Sequence, residues 1–391
     1  MSENNEIKEP LNKNYKVPKL RFDKFKNDNL NCDILSQIAT LSKGNGLSKD
    51  DLSQDGNKCI LYGELYTRYL GYIDTIISKT KTILSKPKLS KSGDIIMPLS
   101  GETPTDISNS AVVPEDNVIL GGDLLVITPK KNIDSLFLSL YLSNCKKKEI
   151  AKKSCGISII HSHKEDIAKL TINYPSLAEQ YYISTFLKKL TKKTDIVLKK
   201  IDILKKYKEG IMIKCYELAK NQVISLSKLV KNNIILLGRG EIIPKQNGTF
   251  PVYSSSAANN GLFCFRNKYS FDEELITWSI DGGGKPFLRN KHKFSITNVC
   301  GYAKILDLNI FSYSWLYINF WNSWRKIKFD YTTKAHPSVI EKLYKIKSLD
   351  IESQMKIEKI LTYINNKIDY LIKELNDVTL TKESLLRSLF F

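Results

Sequence analysis

The chain has 391 residues, 42% of them hydrophobic, and carries a net charge of +19 with a pI near 9.3. That length suggests two or three domains, and that apolar content excludes wholesale disorder. The charge surplus favours a polyanionic partner, nucleic acid first, although an AT-rich genome that writes Lys and Asn freely also raises it.

In chain order, residues 1–15 read as a flexible tail. Residues 16–174 read as a mixed α/β domain. It opens with a short amphipathic helix signal, ILSQIATLSKGNG (34–46). Extended runs follow at CILY (59–62), DIIM (94–97) and DLLVIT (123–128), then a helix at LFLSLYL (136–142). Residues 175–221 form a long helix. In alternating steps of four and three its seam is Ile183, Leu187, Leu190, Thr194, Val197, Ile201, Leu204, Lys208 and Ile211. Only Thr194 and Lys208 spoil it, and such a seam needs a partner helix.

Residues 222–348 read as a second mixed α/β domain. It opens with ISLSKLVKNN (224–233), has extended runs at FPVY (250–253), LITW (275–278) and residues 299–306, and carries a helix at YSWLYINF (313–320). Residues 349–391 supply the missing partner: Ile357, Leu361, Ile364, Ile368, Leu371, Leu375, Val378, Lys382 and Leu385. The offset between the seams is constant, 357 − 183 = 174. The flaw repeats as well, Lys208 with Lys382, and so does Asp195 with Asp369. LAEQ (177–180) leads into the first helix and IESQ (351–354) into the second; the run from Gly56 to Tyr62 echoes that from Gly248 to Tyr253. This is an internal repeat. The expected fold is two α/β domains separated by two long antiparallel helices in an intramolecular coiled coil, related by a pseudo-twofold axis. Each seam covers about 29 residues, or ~43 Å at 1.5 Å per residue, against ~34 Å for a turn of B-DNA. Two divergent domains held at that spacing suit two half-sites with unread bases between them.

With PSLAEQYYISTFL (175–187) and its weaker copy DIESQMKIEKIL (350–361), the chain resembles the specificity subunit of type I restriction-modification systems. KGNGLSKDDLSQDG (43–56), ILYGELYTRYLG (60–71), FPVYSSSAANNG (250–261), ITWSIDGGGKPFLR (276–289) and TNVCGYAKI (297–305) extend the resemblance over residues 17–391. The second copy lacks the Pro and Glu of the first. The resemblance implies two target recognition domains reading a bipartite site on double-stranded DNA. It implies two docked methyltransferase subunits and, through them, a restriction/translocase subunit. The chain itself would hold no cofactor; S-adenosylmethionine, ATP and Mg would belong to the partners. A recognition module of another defence methylation system is the alternative.

The residues agree that chemistry is elsewhere. No Pro-Pro dipeptide exists for an adenine-methylase loop. Gly282-Gly283-Gly284-Lys285 lacks the first Gly and the final hydroxyl of a phosphate-cradling loop. Glu-x-Lys occurs once, at Glu6–Lys8, in the polar tail. Seven cysteines without a CxxC, and one His161-Ser-His163 pair, suggest reduced thiols and no metal site. No run reaches the ~18 apolar residues of a membrane helix, and MSENNEIKEP is not a signal peptide. The expected location is cytoplasmic.

Candidate DNA contacts are donors and amides on loops. In the first domain they are Lys43, Asn45, Ser48, Lys49, Tyr62, Tyr66, Arg68, Ser100, Glu102 and Thr103. In the second they are Arg239, Lys245, Tyr253, Ser254, Ser255, Ser256, Asn259, Asn260, Asp281, Lys285, Arg289, Thr332, Thr333, Lys334 and His336. Each has an ordinary reading as a solvated turn residue. Off the seam, paired lysines such as Lys192-Lys193 and Lys199-Lys200 offer a positive face to spacer DNA.

Overall fold

A computed structural model describes residues 17–69, 71–154, 160–219, 222–256, 258–327, 329 and 334–390. The elements that position the site are, in chain order, β1 (Ala39–Lys43), β2 (Ile95–Pro98), β3 (Leu124–Pro129), α1 (Ser135–Asn144) and α2 (Leu177–Leu218). Then come β4 (Ile235–Arg239), β5 (Phe250–Tyr253), β6 (Phe271–Ser279), β7 (Pro286–Ile296), β8 (Cys300–Ile305), α3 (Tyr313–Lys326) and α4 (Ile351–Leu389). Contacts divide the chain into unit 1, residues 1–196 with 375–391, and unit 2, residues 197–374. The division falls within each long helix.

In unit 1 the antiparallel trio β1–β3–β2 forms one side of a five-stranded sheet. β2 and β3 are continuous apolar runs because both their faces are covered. Ile95, Met97, Leu125 and Ile127 pack with Phe137, Leu138 and Tyr141 of α1. The alternate residues Ile96, Leu124 and Val126 pack with Ile60, Leu65 and Ile73. The opening signal at 34–46 does not form one helix: only Leu35–Ile38 is helical, and 39–43 becomes β1. Leu125–Pro129 offers those residues a full antiparallel ladder, and tertiary pairing overrides local periodicity.

Unit 2 repeats this plan. The trio β4–β8–β6 has the same order and direction, inside a six-stranded sheet. Ile276, Trp278, Ala303 and Ile305 pack with Trp315, Leu316, Ile318 and Phe320 of α3. Leu275, Phe294, Ile296 and Cys300 form a second cluster. The Gly56/Gly248 echo is also structural. Residues 59–60 pair parallel with 119–120, as 252–253 pair with 295–296.

The clearest sign of the repeat is a glutamine at the head of each long helix, both fully buried. Gln180 accepts from the N–H of Asp134 (2.9 Å) and donates to the carbonyls of Asn132 (3.2 Å) and Pro175 (3.0 Å). Gln354 accepts from the N–H of Ser312 (2.7 Å) and donates to Ile310 (2.9 Å) and Leu349 (2.7 Å). Asp134 and Ser312 in turn cap α1 and α3. One amide thus ties the chain before each domain helix to the start of each long helix. The first joint has an extra brace: the carboxylate of Glu179, almost fully buried, pairs with Arg21.

The long helices pack antiparallel within each unit. In unit 1, Ile183 and Leu187 near the start of α2 share a cluster with Leu385, Leu386 and Leu389 at the end of α4. In unit 2, Ile211, Met212 and Cys215 near the end of α2 share one with Ile357 and Leu361 near the start of α4. Ile183, Leu187, Val197, Ile201, Leu361, Ile364, Ile368 and Leu371 are buried, while Leu190, Leu204, Ile357 and Leu375 are half-buried. The repeated flaw is a repeated contact. Lys208 donates to the Asn365 side chain (2.7 Å) and faces Asp369; Lys382 faces Asp195. Burial pulls both ammonium pKa values down, and the aspartates push them back up.

Candidate nucleic-acid interface

In unit 1, Lys43 ends β1 opposite Leu125, and Pro98 ends β2 opposite Leu124. The chain therefore leaves β1 and β2, and enters β3, at one end of the sheet. The Gln180 joint follows the exit from β3, at the other end. Backbone bonds lace the loops together at the first end. Gly44 N–H donates to Leu124 (2.8 Å), Asn45 to Leu120 (3.0 Å), Leu99 to Asp123 (2.7 Å) and Gly121 to Ile60 (2.9 Å). The approach is so close that a Cβ on Gly44 would lie 2.1 Å from the Gly121 carbonyl oxygen.

Unit 2 builds the same end from the same bonds. Arg239 ends β4 opposite Gly301, and Ser279 ends β6 opposite Cys300. Gly240 N–H donates to Cys300 (3.0 Å), Glu241 to Ile296 (3.2 Å), Ile280 to Val299 (2.8 Å) and Thr297 to Tyr253 (2.9 Å). These bonds put Lys43 and Arg239 at equivalent positions, both exposed. They do the same for Ser100 and Asp281. A further segment completes each set, with Ser162 N–H on Leu99 (2.9 Å) and Ala335 N–H on Ile280 (3.0 Å). Consequently the Ser100 Oγ···His161 Nδ1 contact (2.9 Å) and the Asp281–Lys334 ion pair (2.9 Å) are the same pair in two chemistries.

The side chains differ in what they leave free. Lys43, Lys49, Arg68, Glu102 and Thr103 are exposed in unit 1. Arg68 pairs with Glu64 at 3.5 Å. Tyr62 and Tyr66 lie 6.4 Å apart between centroids; burial, then Tyr62, Glu102 and Asp106, raise the Tyr66 phenol pKa. Asn45 donates to Lys86 O (2.7 Å) and accepts from Lys88 N–H (2.9 Å). Ser48 is held by Asp51 (2.8 and 2.9 Å). In unit 2, Lys245, Ser256, Asn259, Asn260, Asp281, Lys285 and Lys334 are exposed, and Tyr253, Ser254 and Ser255 half-buried. Asn259 and Asn260 take positive φ (47° and 54°), which Asn tolerates in turns. Arg239 Nε donates to the Asn298 carbonyl. Ser254 Oγ accepts from Thr297 (2.9 Å).

Two candidates are buried. Ser100 is 2% exposed, spent on His161 and Asp123. Arg289 is 3% exposed on β7, because its side chain turns inward to Tyr253 and Thr277. His336 caps a helix, Pro337–Leu343, by accepting from Ser338 N–H (3.4 Å). Thr332 and Thr333 lie outside the described residues. Sequence reasoning missed His161, Asn298 and the lysines of KTKTILSKPKLSK (79–91), a run without a carboxylate that Asn45 ties to the first loop. Five lysines in thirteen residues was the available signal.

Among the described residues there is no group of three or more His, Cys, Asp or Glu that could hold a metal ion, and no helix long and apolar enough to cross a membrane.

Residues 34–206, the first domain and most of α2, match the family model for the type I restriction modification DNA specificity domain. That stretch is similar to a type I specificity domain. A Mycoplasma pneumoniae protein named as a type I specificity subunit is 34% identical over 145 residues, 35% of this chain and 39% of the relative. A second from that organism is 42% identical over 71 residues, 18% of this chain and 23% of the relative. The matched part of the chain thus spans about two-fifths or less of those relatives. The crystal structure of a type I restriction-modification S subunit from M. genitalium shares the fold with a TM-score of 0.65 at 18% identity, covering 96% of this chain and 99% of that one. A structure described for complex assembly and conformational transition of a type I system aligns with a TM-score of 0.54 at 15% identity, covering 93% and 97%.

Proposed function

We propose that this chain is the DNA-recognition subunit of a type I restriction-modification complex and reads a bipartite target, one half-site per unit. One observation carries the reading: both units present the same laced loops at the same sheet end, with different side chains at equivalent positions. Lys43 stands where unit 2 has Arg239, Ser100 where it has Asp281, and His161 where it has Lys334. A common scaffold with changed donors and acceptors suits two different base sequences. The unread gap between them is set by α2 and α4.

The chain catalyses nothing itself. Two methyltransferase subunits dock on the long helices, whose outer surfaces expose Tyr181, Ile203, Tyr207, Tyr363 and Tyr370. S-adenosylmethionine, ATP and Mg are used by the partners, including the restriction/translocase subunit. The assembly works on chromosomal DNA in the cytoplasm.

Profiling DNA methylation in the host, with and without this gene, tests the reading. A bipartite adenine-methylated motif with a fixed gap, lost on deletion, is expected. A contiguous motif, or modification or cleavage of DNA by the purified chain alone, refutes it.

A further inference from the structure

Arg289 is a buried cation that meets no carboxylate at ion-pair distance among the described residues. Its Nε donates to Thr277 Oγ1 (3.0 Å), and its guanidinium carbon lies 3.7 Å from the Tyr253 ring centroid and 4.8 Å from that of Phe287. After burial, the strongest influences on its charge are Tyr253, Cys300 and Tyr317. Its Nη1 is buried without a hydrogen-bond partner among the described residues. Arg21 and Arg266, by contrast, meet Glu179 and Glu241. Burial pulls the Arg289 pKa down to about 10, so the group stays charged at neutral pH. Two aromatic faces offset only part of the cost of taking such a charge out of water.

The fold does not require a cation here. Ile95 and Ile96 pair with Val112 and Ala111 as Ile276 and Thr277 pair with Leu288 and Phe287. The next position outward is Val113 in unit 1 and Arg289 in unit 2. Val113 is fully buried, an ordinary core residue. The same scaffold therefore closes over an aliphatic side chain.

The position is informative too. Gly261, in the loop after β5, lies directly against Arg289: a Cβ there would be 3.1 Å from Nη2. Ser254 N–H closes that loop onto the Gly261 carbonyl (2.8 Å). Arg289 thus lies under a candidate DNA-contacting loop, supported by the Tyr253 ring at that loop's start. A base reader must carry its fork into the groove; this one is turned inward and keeps one unused amine.

We propose that Arg289 is an anion receptor beneath the loop after β5, and that it takes a phosphate oxygen of bound DNA when that loop is displaced. The choice of DNA as the source rests on the proposed function; the anion site does not. Phosphate contact fixes register without reading sequence.

The test uses the full chain and Arg289→Met, which keeps length without charge. Thermal unfolding is followed in inorganic phosphate and in chloride at equal ionic strength. A phosphate-specific rise in Tm for the wild type, absent in Arg289→Met, is expected. Binding of unrelated duplexes is then measured against salt. The variant should lose about one unit of the log–log slope, with the ratio between sequences unchanged. If Arg289→Met does not unfold cooperatively, Arg289→Lys, which keeps the charge without the fork, carries the comparison. An unchanged phosphate response and slope overturns the proposal, as does loss of discrimination with the slope intact. A phosphate response in a wild type that binds no DNA supports the anion site and removes DNA as its source.

Discussion

Gln354 offers a sharp test of the joint between domain and long helix. Gln354→Leu keeps the volume and deletes both polar atoms, so no cavity confuses the result. Three bonds of 2.7, 2.9 and 2.7 Å are lost. At a net ~1 kcal/mol each they amount to about 3 kcal/mol. The N–H of Ser312 and one or both carbonyls then stay buried and unpaired, which adds ~1–2 kcal/mol. The expected loss is about 4–5 kcal/mol, read as a lower urea midpoint with an unchanged slope. Gln180→Leu should cost a similar amount, since its three bonds, at 2.9, 3.2 and 3.0 Å, are equivalent. A loss under about 1 kcal/mol in either variant would refute the idea that these amides anchor the two helices.

Other expectations follow from the same packing. Burial, and then Glu358, hold the Glu274 carboxyl up at about 7. The folded state therefore keeps a proton that the unfolded chain releases above its ordinary value of 4.5, and stability should fall as pH rises between these values. Glu274→Gln should flatten the urea midpoint across that window; an unchanged slope would show that the carboxyl is not responsible. Replacing Lys208 and Asn365 together by Met and Leu should raise the thermal midpoint, because a desolvated charge leaves an apolar seam. A lower midpoint would mean that the polar contact is net stabilising. Lys86→Glu with Lys88→Glu should cut the salt slope of DNA binding by about 2 without altering the preference between sequences, as fluorescence anisotropy would show. Arg239→Ala should weaken one half-site selectively, and equal weakening on all sequences would move Arg239 to the phosphates.

The long helices and their repeat were legible in the chain because heptad spacing is local. A side chain every three or four residues states which face is buried, whatever lies opposite. The strands at 94–97, 123–128, 250–253 and 275–278 were legible for a related reason: sheets covered on both faces need unbroken apolar runs. Residues 39–43 were not, since their strand state comes from a ladder with residues some 86 positions away. The candidate contacts divide in the same manner. Lys43 and Arg239 stand out as exposed cations beside glycine turns. That Ser100 faces His161 as Asp281 faces Lys334, or that Asn45 is spent on the backbone at 86–88, depends on loops meeting in space. The inward turn of Arg289 depends on it as well: composition marks an arginine among loop residues, and only the packing of Tyr253, Phe287 and Thr277 decides that its charge is buried.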